Sequence, residues 1–237
     1  MMSLSADEWE IIRLSVKVAL WSVMGSLPLA LATAYALART RFPGKTLFDA
    51  TVHLPLVLPP VVVGYFLLVL LGQRGPIGAW LESTFGIVVA FRWTGAAIAC
   101  AVMGFPLMVR AIRLSIEAID PRLEAAAETL GAGRWGVFLT VILPLALPGI
   151  LTGMLLSFAR SLGEFGATIT FVSNIPGETQ TLPLAIYSLT QVPGGDAQAL
   201  RLCLISIVLA LVALIFSEML VRRASQRALG YDSVRRG

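Results

Sequence analysis

The chain has 237 residues, 57% of them hydrophobic and 14% charged, with a mean hydropathy of +0.83 and a formal net charge of +4. Soluble domains carry about a quarter charged residues, so this composition excludes an ordinary water-soluble fold and points to lipid. Its positive charge is spread over alternate loops instead of lying on one face between aromatics, which excludes a nucleic-acid partner.

A bilayer core about 30 Å thick needs roughly 20 apolar residues per helix. Five stretches approach that length: Leu14–Ala38, Leu54–Leu71, Trp93–Val109, Val137–Ala159 and Leu202–Val221. The runs are continuous and not alternating, and backbone polar groups in lipid must bond internally. The expected fold is therefore all-α, a polytopic membrane bundle of about five transmembrane helices. It is read as a single domain over 1–237 with its core at about 11–221.

The first stretch follows the acidic residues Asp7, Glu8 and Glu10, where a cleaved signal would be basic, and it is too long for one. It is read as a retained span. Ser22, Ser26, Ala30, Ala34 and Ala38 place a small residue on one helix face at every fourth position. Gly149, Gly153, Ser157 and Ser161 repeat the device in the fourth span. Two readings are open, ordinary helix packing or surfaces that slide during gating.

The second stretch opens His53-Leu-Pro-Leu-Val-Leu-Pro-Pro60. Only Val61–Leu71 follows the last proline, about 16 Å of helix, so Pro59 and Pro60 must enter the membrane region. Broken backbone at that depth survives where protein buries it or where it lines a cavity. These prolines are candidate pathway residues, with a packing kink as the equal alternative. His53, near Asp49, is read as a capping or interfacial group.

Between the third and fourth stretches lies a polar insertion, 110–139. Asp120 is an N-cap residue, Pro121 suits the first helical position, and Gly131 can end a helix. The spacing predicts a helix over Pro121–Leu130, with Leu123, Ala127 and Leu130 on one face. Glu124 and Glu128, four apart, repel by a few tenths of a kcal/mol in a free helix. So short a helix is marginal alone. Either a partner completes it or it lies on its own subunit.

After the fourth span, Ser161–Leu200 is too interrupted to cross and is expected to form short or re-entrant helices. Arg160 and Glu164 are four apart and able to pair; an ionisable pair near membrane depth is a functional hypothesis, and an orienting ion pair is its rival. Ser157, Arg160, Ser161, Glu164, Thr168 and Thr170 join the prolines as candidate pathway groups. Cys100 and Cys203 lie in different apolar segments and are expected to be inert buried thiols. No cluster suggests a metal or cofactor. The end, 222–237, is read as a basic cytoplasmic tail.

Arg39, Arg41, Lys45, Arg110, Arg113, Arg122, Arg134, Arg222, Arg223, Arg227, Arg235 and Arg236 fall on one side of this topology. Arg13, Lys17, Arg74, Arg92, Arg160 and Arg201 fall on the other. The bias toward positive charge inside puts the larger set, and with it the insertion and the carboxyl terminus, in the cytoplasm. The amino terminus is then external.

The segment Leu123–Gly131 followed by Val141-Ile-Leu-Pro144 resembles the cytoplasmic loop of ABC-importer permeases, where Glu-Ala-Ala, three residues, Gly and nine residues precede Ile-x-Leu-Pro. In register, the family glutamate is Ala125 here, and Glu124 lies one place upstream. His53–Tyr65, Met108–Arg113 and Ser161–Gln180 extend the likeness across nearly the whole chain, to the molybdate permeases of bacterial ABC importers. Sulfate permeases share the Leu-Gly-Glu-Phe-Gly core. The resemblance implies a type I importer subunit in the bacterial inner membrane. It also implies a second copy of the chain, two ATPase subunits on the cytoplasmic side and a periplasmic oxyanion-binding protein. Leu123, Glu124, Ala126, Ala127, Glu128, Leu130 and Gly131 would form the ATPase-coupling surface. No GxxxxGK[ST] loop occurs, so ATP would be bound by the partner and the chain itself would be no enzyme. Tungstate or sulfate are alternative cargoes. A secondary carrier would show a second copy of the Leu54–Pro60 pattern, and none is present.

Overall fold

The computed structural model describes the backbone of residues 5–233, and side chains as far as Ile215 and at Met219. Among the described residues every regular element is helical, as expected. Four helices are long and apolar enough to cross a membrane: α1 (Ala6–Arg39), α5 (Trp93–Glu117), the run Arg134–Leu162, and α11 (Asp196–Ser233) over its first part, Asp196–Ile215. The expected basic tail lies outside the described side chains, and 234–237 outside the described residues altogether.

The second expected span is not one helix. It divides into α2 (Lys45–Val57) and α3 (Pro60–Leu71), which meet at 112°. The cause is Leu58-Pro59-Pro60: prolines donate no backbone hydrogen bond, and each drives its predecessor out of the helical region. Leu58 is accordingly extended, with ψ 143°. Pro60 then starts α3 at the position a helix tolerates best.

Other boundaries have equally local causes. α1 begins eight residues before the apolar run because Ser5 and Glu8 form a reciprocal capping box: Glu8 N donates to Ser5 Oγ (3.2 Å) and Ser5 N to Glu8 Oε2 (2.8 Å). A short helix absent from the sequence reading, α4 (Pro76–Phe85), starts at a proline and stops at Gly86, left-handed at φ 66°. After α6 (Pro121–Thr129) and α7 (Arg134–Val137), a π turn over Phe138–Ile142 leads into α8 (Leu143–Leu162). That widened turn sits directly before Pro144, whose ring displaces the carbonyl a turn earlier. α9 (Gly166–Val172) and α10 (Leu182–Thr190) are the short helices expected between the last two spans.

α1, α5 and α8 form the centre of the bundle. Their contact is made backbone to backbone by the small residues. A Cβ added to Gly104 would stand 2.3 Å from Ser157 Oγ; one on Gly149 would meet Ser115 Cβ at 2.2 Å, and one on Gly153 the Met108 carbonyl at 3.0 Å. Ser22, Ser26, Ala30 and Ala34 on α1 are likewise buried. Both small-residue ridges are therefore packed seams in this conformation. One apolar core joins Ala34, Leu37, Met108, Ile112, Ile116 and Ile142; a second joins Val18, Val63, Ala96, Cys100, Ala167 and Phe171. Cys100 is buried as expected, while Cys203 is only half-buried.

Gly104→Leu should lower stability by about 1–3 kcal/mol through overpacking, read as a fall in the melting temperature of the detergent-solubilised protein. Gly25→Ala, where the new methyl meets nothing within 4 Å, should be neutral or slightly stabilising in the same assay.

Candidate functional site

Helix α6 is built as the sequence predicts at both ends. Asp120 Oδ1 accepts from Arg122 N at 2.9 Å and Pro121 occupies the first turn. At the other end Gly131 is left-handed (φ 90°), its N–H donates to Glu128 O (2.9 Å), and Ala132 N donates to Ala127 O (3.0 Å). The closing motif makes Leu130 the cap, so the helix ends at Thr129, one residue short of the expected boundary.

Of the residues that spacing puts on one face of α6, only Ala127 turns inward. Glu124 and Ala127 are its half-buried residues; Leu123 and Leu130 are exposed, the latter at 89%. Ala127 packs on the core of α5 and α8. Glu124 Oε1 lies 2.6 Å from Arg39 Nη2, and the same guanidinium nitrogen donates to Ile119 O at 3.0 Å. Arg39 thereby ties the end of α1 to both the entry and the first turn of α6. It also gives Glu124 a counter-charge, which offsets repulsion from Glu128. Ala126, Glu128 and Leu130 face outward, and Trp135, one turn beyond, is 78% exposed.

The other candidate residues gather at the α8–α9 junction. Arg160 Nη1 contacts Glu164 Oε2 at 2.6 Å, while Glu164 Oε1 accepts from Ala167 N at 2.8 Å in the first turn of α9. Glu164 is 1% exposed and Arg160 29%. Thr168 Oγ1 donates to Phe165 O (2.9 Å), and Ser161 Oγ lies 2.9 Å from Ser22 Oγ on α1. Gly166 abuts Pro60, where an added Cβ would stand 2.7 Å from Pro60 Cβ. The break between α2 and α3 thus rests on the turn that Glu164 caps. Ser157 and Thr168 are fully buried, Ser161 nearly so, and Pro59 is exposed. Ser157 Oγ has no hydrogen-bond partner among the described residues.

A third cluster lies beside α2. Arg113 contacts Asp49 Oδ2 (2.9 Å) and Glu117 Oε1 (2.7 Å), and His53 Nδ1 lies 3.1 Å from Asp49 Oδ1. These groups and Arg110 line a cavity of about 310 Å³ between α2 and α5. Sequence reasoning found the Asp49–His53 proximity but not Arg113, because 64 residues separate it from Asp49. It missed Arg39 for the same reason: the Glu124 pair crosses from one helix end to another, with no local spacing to signal it.

Residues 26–226 match the family described as the binding-protein-dependent transport system inner membrane component. The chain belongs to this family. It is 60% identical over 227 residues to the molybdenum transport system permease protein ModB of Escherichia coli K12, covering 96% of this chain and 99% of that one. The sulfate transport system permease protein CysT of the same organism is 41% identical, over 84% of this chain and 71% of its own. Among solved structures, a bacterial alginate ABC transporter in complex with its alginate-pentasaccharide-bound periplasmic protein matches with a TM-score of 0.73 at 19% identity, covering 92% of this chain and 80% of that chain. At that identity the likeness establishes the fold alone. The chain is a multi-pass inner-membrane permease subunit, a transport component and not an enzyme.

Removing one partner of a buried ion pair costs on the order of 3 kcal/mol. Arg160→Gln should therefore lower the permease's melting temperature markedly. Adding Glu164→Gln should restore most of the loss, since the amide oxygen still accepts from Ala167 N without stranding a charge. If the double variant regains stability but not uptake, the pair serves the pathway as well as the fold.

Proposed function

We propose that this chain forms the transmembrane pathway for molybdate in an ABC importer. It would work as two copies, with the amino terminus outside, two ATPase subunits docked on α6 from the cytoplasm, and a periplasmic oxyanion-binding protein delivering the cargo. The observation that carries the cargo assignment is the 60% identity to the molybdenum permease over essentially both full lengths, against 41% to the sulfate permease over a shorter span.

The geometry suits the transmission of motion. α6 presents Leu123, Ala126, Glu128 and Leu130 outward while Ala127 and the Arg39–Glu124 pair hold it to the bundle. A push on α6 would therefore move α1 and the α5–α8 core with it. At the opposite end, the Arg160–Glu164 pair and the proline break link α8, α9 and α3, so tilting α8 would carry the broken segment. Pro59 is exposed, and Pro60, Arg160 and Thr170 are half-buried, so these are the candidate groups with surface for an anion to meet. A tetrahedral dianion can be held by neutral donors, so a strongly cationic lining is not required.

In proteoliposomes holding the permease, its ATPase and its binding protein, labelled molybdate should accumulate only with ATP, with sulfate a weak competitor. Equal uptake of both anions would overturn the cargo assignment. A cysteine at Glu128, with Cys100 and Cys203 replaced by alanine, should crosslink to the ATPase and change its yield on ATP binding. No crosslink in an active complex would remove α6 from the coupling role.

A further inference from the structure

The cavity between α1, α2 and α5, of about 680 Å³, has no part in the coupling scheme. It follows α5 from Trp93 to Phe105, about 18 Å at 1.5 Å per residue. One leaflet's hydrocarbon is about 15 Å deep. Its wall is mainly aliphatic and aromatic, and three of its four hydroxyls already donate to backbone: Ser22 Oγ to Ala19 O (2.8 Å), Ser26 Oγ to Ser22 O (2.7 Å) and Thr51 Oγ1 to Leu47 O (2.9 Å). A resident water needs two to four polar partners, which this wall does not offer. Hydrocarbon suits it.

The rim is built differently. Lys17 Nζ lies 3.6 Å from the centre of the Trp93 ring, and Trp21 lies beside Trp93 with ring centres 6.1 Å apart and planes tilted by 60°. Paired tryptophans mark the depth of lipid headgroups. Lys17 has no carboxylate partner among the described residues, and Arg92 is exposed one residue before Trp93.

We infer that this cavity is a binding site for one anionic phospholipid, its phosphate held at Lys17 and one acyl chain running down the α1–α5 groove toward Phe105. A helix of a second copy is the rival occupant of this open groove, and the disulfide test below separates the two. The lipid enters from the leaflet in which α1 begins.

The test is native mass spectrometry of the assembled transporter released from bilayers of equimolar dioleoylphosphatidylglycerol and dioleoylphosphatidylcholine. One phosphatidylglycerol per permease copy should stay bound. Gly25→Leu, whose side chain enters the cavity where a Cβ meets nothing within 4 Å, should cut retention about tenfold or more, the effect of excluding a few buried methylenes. Gly25→Ala should retain the lipid, which controls for folding. Lys17→Gln should reduce the preference for phosphatidylglycerol about fivefold. Equal retention in wild type and Gly25→Leu would overturn the inference, as would a disulfide between two copies carrying Gly25→Cys. Uptake is not the readout, so failure here leaves the permease assignment standing.

Discussion

Helices in lipid gain little by hiding apolar surface from one another, because the acyl chains are equally apolar. Close approach of backbones is what remains, and in this bundle it is made possible by glycine, alanine and serine. Gly104 against Ser157, Gly149 against Ser115 and Gly153 against the Met108 carbonyl bring α5 and α8 into contact at points where no larger side chain fits. Ser22 and Ser161 close the same seam onto α1. Three spans held this tightly behave as one body, and every other element is placed by how it attaches to them.

Beside apolar contacts, such as Leu182 and Leu202 packing with Ile11 and Ile12, the attachments include a small set of polar ones. Arg39 anchors α6 to the end of α1. Arg113 joins α5 to α2 through Asp49. Glu8, nearly buried, meets Arg201 at 2.5 Å and so holds the start of α1 to α11. Glu164 fixes α9 to α8, and α9 carries α3 through the contacts of Gly64 with Ala167 and of Gly166 with Pro60. These ion pairs lie near helix ends, where water can still solvate one partner and the desolvation cost is lower than at mid-membrane.

Much of this was legible without coordinates. Continuous apolar runs announced the spans, and Asp120, Pro121 and Gly131 fixed α6 to within one residue because capping is local chemistry. The prolines at 59 and 60 announced a break but not its 112° angle, which depends on α3 packing against α9, a contact between segments a hundred residues apart. α4 went unread because ten residues ending in Glu-Ser-Thr-Phe make no long apolar run, although Gly75-Pro76 and Gly86 were start and stop signals in plain view. Which face of α6 turns inward was not legible, for a related reason. Periodicity groups Leu123 with Leu130, but a fixed cation at Arg39 outweighs two leucines, and it turns Glu124 inward.

That arrangement bears on the coupling role proposed for α6. A helix that buried Leu123 and Leu130 against its own subunit would offer a partner only its charges, and surface ion pairs are weak and screened by salt. With the glutamate turned inward and neutralised, the apolar side chains are left outside, where a neighbouring protein can bury them at about 25 cal/mol per Å². The alanine at 125, where the family pattern has glutamate, fits the same arrangement. It is exposed here, so it presents no charge to a partner, and the carboxylate one place upstream faces Arg39 instead. If a partner docks there as proposed, attachment to the bundle and contact with the partner would fall to different residues of one short helix, and a lever needs both a fixed end and a free face.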